Sequence, residues 1–232
     1  MKMLAIDTST IACSAALFDG GDLFERFEIA PRGHAERLLP MLDELLAEAG
    51  WSREQIEVIA FGRGPGAFTG LRIAAGVAQG IAFGLDIPVV PVSTRAALAH
   101  GAVREGKSMR ILAAMDARMH EIYWGAYELD GGGALTPHGA EQVCAPMDAT
   151  LPAGDGWFGA GDAWDVYGEV MRLRLGQRLA GWDAGRYPRA RDVALLAAPI
   201  YKVGGGLPPE QALPVYLRDN VAQPKRTSGP TE

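Results

Sequence analysis

One stretch of this chain occurs twice, and that repetition constrains the fold more than any other feature. MLAIDTSTIACSAALFDGGD aligns with ILAAMDARMHEIYWGAYELDGGG so that Asp116 falls on Asp7. Each copy is an apolar strand, an Asp, a tight turn, another strand and a Gly-rich turn, the pattern of a β-hairpin. An internal repeat of this kind means two similar structural halves. In the first half the pattern predicts strands over 3–6, 12–18 and 23–29, with Asp19-Gly20-Gly21-Asp22 as a hairpin turn. A helix over 34–49 follows. Its Leu38, Leu39, Leu42, Leu45, Leu46 and Ala49 keep helical spacing, and Gly50 suits a left-handed terminator. Next come a strand over 57–62, a loop over 63–66, a helix over 69–84, a strand over 87–92 and a helix to 103 capped by Ser93 or Thr94. The second half predicts strands over 110–115, 121–129 and 136–143, then helices over 162–173 and 192–201. The expected division is an N-terminal lobe over 1–104, a C-terminal lobe over 105–222 and a disordered polar tail over 223–232.

Composition narrows the classes of function. Hydrophobic residues make up 48% of the 232 and charged residues 22%, enough for a packed core. A net charge of -6 argues against broad nucleic-acid affinity, which needs concentrated Lys and Arg. Cys13 and Cys144 read as free thiols. The opening MKMLAIDTST is interrupted by Asp7 too soon for a signal peptide, and no apolar run is expected to reach bilayer-spanning length. The chain therefore reads as cytoplasmic, with no membrane partner.

Two β-β-β-α-type halves, each with an Asp closing its first strand, follow the plan of the two-lobed actin/Hsp70-like α/β fold (ASKHA, ribonuclease H-like), a duplicated β-β-β-α-β-α unit. In that plan the two hairpins hold a phosphate chain between the lobes, and each Asp faces a magnesium ion. Asp7, Thr8, Ser9 and Thr10, with Asp116, thus form a candidate degenerate nucleotide site. The first turn carries small hydroxyl residues that suit a phosphate. The second reads Asp116-Ala117-Arg118-Met119-His120, with bulky side chains where backbone would have to approach phosphate closely. The alternative reading is that Asp7 and Asp116 merely cap turns. ATP or ADP with magnesium, at a subunit junction, is the one cofactor this pattern suggests.

The segment 58–93, VIAFGRGPGAFTGLRIAAGVAQGIAFGLDIPVVPVS, is the most distinctive. Its glycines before a helix suit a phosphate loop, but it lacks the Lys-Ser/Thr of a Walker loop, and Pro65 removes an amide donor. This stretch closely resembles the TsaB (YeaZ) family. So do LAIDTST, HAERLLPMLDELL, MDARMHEIYWGAY and PEQALPVYLRDNVA, in the same order and over most of the chain. The resemblance implies a non-catalytic activating subunit for TsaD, which forms N6-threonylcarbamoyladenosine beside the anticodon of tRNA. It implies a TsaD-like partner, a TsaE-like ATPase partner, a homodimer when alone, and tRNA met only through the complex. TsaD proteins carry a metal-binding His-x-x-x-His pair. Aligned here, those positions hold Thr94 and Leu98, so no metal site is expected.

Within the helix over 69–84, Gly76, Gly80 and Gly84 recur every four residues. Each costs about 1 kcal/mol of helix stability relative to Ala, so something is expected to pack close. That neighbour is either intramolecular or, as the resemblance implies, a partner chain. Leu39, Leu42, Leu46, Ile73, Gly76, Val77, Gly80 and Ile81 are the expected interface. His34 reads as a surface residue at a helix start. The alternative readings are a weak ATPase or kinase-like enzyme using Asp7 and Asp116, or a peptidase acting on its partner, although no G-x-S-x-G nucleophile motif is present.

Overall fold

The computed structural model describes residues 1–218; the tail expected over 223–232 lies outside them. In the first half, β1 (Met3–Asp7), β2 (Ala12–Phe18) and β3 (Leu23–Ile29) form an antiparallel meander. α1 (His34–Ala49) leads to β4 (Val58–Gly64), α2 (Phe68–Leu85), β5 (Val89–Ser93) and α3 (Thr94–Arg104). The sheet order is β3-β2-β1-β4-β5, with β4 parallel to β1 and β5 parallel to β4.

The second half repeats this design. β6 (Arg110–Arg118) and β7 (Glu121–Leu129) form its hairpin. The strand expected over 136–143 is two short ones, β8 (Leu135–Pro137) and β9 (Gln142–Cys144), both on the free edge of β7. Then follow β10 (Trp157–Ala160), α4 (Ala163–Leu175), β11 (Leu179–Asp183) and α5 (Ala190–Lys202). The order β11-β10-β6-β7-β8, with β10 parallel to β6 and β11 to β10, matches the first sheet strand for strand. The copies differ in the split third strand and in one helix: none corresponding to α1 stands between β9 and β10.

Alternation along the strands decides where the helices dock. Leu4 and Ile6 face α1 and α2, meeting Leu38, Leu42, Leu45, Ala74 and Ala78. Met3 and Ala5 face the other way and meet Val193, Ala194 and Ala197 of α5 together with Ala97 of α3. α5 comes from the second half of the sequence, yet it packs on the first sheet. α3 covers the second sheet through Leu98 and Ala102 against Ile111, Ala113 and Tyr127. On the opposite face of that sheet, Trp124 and Trp157 meet Trp164 of α4.

α2 corrects the expectation that no run reaches membrane-spanning length. It is an 18-residue helix with a mean hydropathy of 1.3, long and apolar enough by composition to cross a bilayer. Here it docks on a sheet by one face, burying Leu71, Ala74, Ala75, Ala78 and Ala82.

Buried charges join the halves. Arg95 of α3 is fully buried, and its Nη1 donates to the carbonyls of Trp124 at 2.7 Å and Gln142 at 3.1 Å. Its Nη2 lies 2.7 Å from Glu141, whose other oxygen accepts from Tyr127 at 2.8 Å and from Ser93. Burial works to raise the pKa of Glu141. The Arg95 charge and the hydrogen bonds from Ser93 and Tyr127 outweigh it, holding the carboxyl below its ordinary range. Asp192 of α5, also buried, lies 2.7 Å from His100 Nδ1 and accepts from Arg104 Nε at 3.0 Å, both on α3. Gly101 permits this approach, since a Cβ there would stand 2.9 Å from Asp192 Oδ2.

Removing one member of a buried ion pair strands the other charge, which costs about 3–5 kcal/mol. Arg95→Ala should lower the free energy of urea unfolding by an amount on that order. A loss within about 0.5 kcal/mol, the size of an ordinary surface change, would show that the Arg95 contacts do not hold the halves together.

Candidate functional site

The turn after β1 is where a phosphate would bind in a fold of this plan, and here it is filled by the chain itself. Asp7, Thr8 and Ser9 are each no more than 1% exposed. Asp7 Oδ1 accepts from the Ser9 amide at 3.0 Å and the Ser9 hydroxyl at 2.7 Å. The Thr8 hydroxyl donates to the Gly70 carbonyl at 2.7 Å, and the Ala67 amide donates to the Ser9 carbonyl at 2.7 Å. The glycine motif sits directly on the turn. A Cβ on Gly62 would overlap Asp7 Oδ2, one on Gly66 would overlap the Ser9 carbonyl, and one on Gly70 would overlap the Thr8 carbonyl. These glycines therefore serve close backbone packing, not exposure of amides. Gly62 of β4 lies against the Asp7 carboxylate itself, while Gly66 and Gly70 cover the Ser9 and Thr8 backbone.

Asp7 Oδ2 is buried without a hydrogen-bond partner. Burial pushes the pKa of this carboxyl up to about 6, against the opposing pull of the Ser9 hydroxyl and amide and of the His34 charge. His34 itself corrects the expectation of a surface residue. It is 8% exposed, and its Nε2 lies 3.2 Å from the Ala12 carbonyl. Ser9 Oγ is bonded to Asp7 and His34 Nε2 to the Ala12 carbonyl, so no hydrogen bond joins His34 to Ser9 or Asp7 as a Ser-His-Asp triad requires.

The second turn differs. Asp116 is partly exposed, and its carboxylate accepts from the Arg118 amide at 2.8 Å and the Arg118 guanidinium at 3.0 Å. The Asp116 amide donates to Asp162 Oδ1 at 2.9 Å. Arg118, Met119 and His120 all have positive φ, at 62°, 55° and 62°. Thr10, last of the expected first-turn residues, is half-buried, and its hydroxyl accepts from the Ala12 amide at 3.2 Å.

The expected interface residues separate into two groups. Leu42 and Leu46, at 4% and 8% exposure, pack into the core and also line the groove between α1 and α2. Ile73, Val77 and Ile81 are half-buried along the edge of that core. Leu39 is 52% exposed and Phe83, which sequence reasoning missed, is 60% exposed. Gly76, Gly80 and Gly84 face outward with nothing within 4 Å of an added Cβ. Among the described residues no intramolecular neighbour accounts for them. Between α1 and α2 runs an apolar groove of about 210 Å³ lined by Leu39, Leu42, Leu46, Ile56 and Ile81. Among the described residues no group of three or more His, Cys, Asp or Glu side chains is placed to hold a metal.

Two matching sheets, each opening on a hairpin with an Asp at or near the end of its first strand, define an α/β protein of the actin/Hsp70-like class. Residues 28–156 match the family model described as TsaD, tRNA N6-adenosine threonylcarbamoyltransferase. The tRNA threonylcarbamoyladenosine biosynthesis protein TsaB of Escherichia coli strain K12 is 39% identical, over 97% of this chain and 98% of that protein. The TsaB protein of Haemophilus influenzae is 38% identical, over 97% of each. The solved structure of YeaZ from Pseudomonas aeruginosa is 49% identical, with a TM-score of 0.86 over 93% of this chain and 99% of that one. This chain belongs to the TsaB (YeaZ) family.

The burial of Asp7 has a measurable consequence. A carboxyl whose folded pKa is raised to about 6 stabilises the fold fully below the unfolded value near 3.9, and that stability is lost as pH rises through about 6. Asp7→Asn removes the titration. Relative to the variant, the natural protein should gain on the order of 3 kcal/mol of unfolding free energy between pH 7.5 and pH 4. A difference between the two that does not change with pH would contradict this.

Proposed function

We propose that this chain is a non-catalytic activating subunit in the formation of N6-threonylcarbamoyladenosine on tRNA. It holds a TsaD-like subunit against the outer face of α1 and α2. The observation that carries this reading is the outward row Gly76, Gly80 and Gly84, where no described residue lies within 4 Å of an added Cβ. Glycine at these positions sacrifices helix stability and gains nothing among the described residues. It does give a flat strip on which a second helix can lie close, beside exposed Leu39 and Phe83. The names and the near-complete overlap of the TsaB relatives support the pathway.

The buried first turn supports a role without catalysis. The same face would pair two copies of this chain when no partner is present. A TsaE-like ATPase would join at the resulting junction, where any ATP or ADP with magnesium would also sit, and tRNA would be met through the complex. Both sides of this arrangement belong in the cytoplasm, with the tRNA. The ATPase and peptidase alternatives have less support, because Asp7 is covered and Ser9 and His34 are engaged elsewhere.

The test separates association from folding. Gly80→Asp places a charge on the strip at a position where an added Cβ meets no described atom within 4 Å. It should weaken binding of the TsaD-like subunit by more than about tenfold in calorimetric titration while the melting temperature stays within a few degrees. Gly80→Ala should stabilise the monomer by up to about 1 kcal/mol and still weaken association. Unchanged affinity in both variants would sink the proposed face. Ala78 is unsuited to this test, being fully buried against the sheet.

A further inference from the structure

The last described segment crosses from one half of the molecule to the other. Leu207 exchanges two 2.8 Å backbone hydrogen bonds with Val89, adding a bridge to the outer edge of β5. Ala212 is fully buried in the core beneath α2, and the Val215 amide donates to the Arg63 carbonyl at 2.7 Å. Gly64, at φ +109°, leaves the room this needs, since a Cβ there would stand 2.7 Å from the Val215 carbonyl. Tyr216 then packs on the outer end of α2. Its ring centroid lies 5.4 Å from that of Phe68, its hydroxyl accepts from Arg72 Nε at 3.1 Å, and the Arg72 guanidinium covers the Phe68 ring at 3.8 Å.

Two residues later the chain is on the other half. Arg218 forms an ion pair with Glu121, and its guanidinium approaches the Arg118 carbonyl and Met119 Sδ, each at 3.5 Å. Those contacts fall on the turn where Arg118, Met119 and His120 all hold positive φ. Side chains with a Cβ disfavour that backbone region, and three in succession persist only when their surroundings hold them there. Asp116 holds the turn from its own strand. Arg218 holds it from outside, and only 17% of its side chain is exposed.

We propose that residues 207–218 are a clasp through which contact at the outer end of α2 sets the order of the 118–120 turn. Tyr216 and Arg218 are its positioning residues, one on each half. The route is physical and short: Phe68 and Arg72 fix Tyr216, Tyr216 fixes the direction of the chain, and the chain delivers Arg218 to the turn. The consequence for a bound partner rests on the reading of α2 as the docking face; the clasp itself does not.

Amide hydrogen exchange read by mass spectrometry on the full chain tests both parts. In the free protein, Arg218→Gln should speed exchange of peptides covering 118–122 by more than about tenfold with an unchanged melting temperature. Tyr216→Ala, altered only on the far half, should speed the same peptides. Arg218→Glu should do so too, and adding Glu121→Arg should restore protection by re-forming the pair in reverse. Exchange at 118–122 that ignores Tyr216→Ala and Arg218→Gln would overturn the clasp. Adding the TsaD-like subunit should then slow the turn in the natural chain and not in Arg218→Gln. If that subunit protects α2 in both chains but treats their turns alike, the coupling is wrong and the docking face stands. If it leaves α2 unprotected, the docking face is wrong and the free-chain result alone decides the clasp.

Discussion

The seating of the 62–70 loop on the turn after β1 is the contact on which the rest of this molecule depends. Three glycines make it possible, each where a Cβ would overlap Asp7, Thr8 or Ser9. The contact fixes the start of α2 and hence the direction of its outward face. The Asp7 carboxyl is enclosed as well, one oxygen satisfied by Ser9 and the other without a partner. A buried carboxyl in that state opposes the fold at neutral pH. What the molecule retains is the architecture of the class, with the chemistry of its first half-site covered over.

A consistent division of labour follows. α3 and α5 bind the two sheets to each other through Arg95 with Glu141 and through Asp192 with His100 and Arg104. α1 and α2 lie on the far side of the first sheet and, among the described residues, leave one face without intramolecular cover. An enzyme of this architecture needs a cleft lined by free polar groups. Here Arg95 with Glu141, and Asp192 with His100 and Arg104, are occupied with one another, and the face of α2 around Gly76, Gly80 and Gly84 is apolar and glycine-rich. That surface suits a partner helix far better than a nucleotide.

Much of the fold was legible because its strongest signal was repetition. The strands around Asp7 and Asp116 announce themselves as apolar runs ending in an acid and a turn, and α1, α2 and α3 have clear limits. β10 and β11 were missed for a physical reason. Each is four or five residues, contains a glycine and lies among other glycines, so neither alternation nor an apolar run marks it. That Leu42 and Leu46 also pack into the core was not legible, because helical spacing reveals a stripe without saying what lies against it. The glycines on α2 carry the opposite lesson. Their cost was visible in the sequence, but only the structure shows that nothing among the described residues repays it. The His100–Asp192 contact spans 92 residues, and no local pattern could have joined them.

The proposed role predicts that Asp7 matters to folding and not to the reaction. The most direct measurement is the rate of threonylcarbamoyladenosine formation on tRNA by a reconstituted complex carrying Asp7→Asn. On the proposed non-catalytic role, with Asp7 only 1% exposed, the rate should stay within about twofold of the natural complex. A loss of about a hundredfold or more, the size expected when a group acting on the transition state is removed, would mean that Asp7 takes part in the chemistry and that this subunit is not the bystander to catalysis described above.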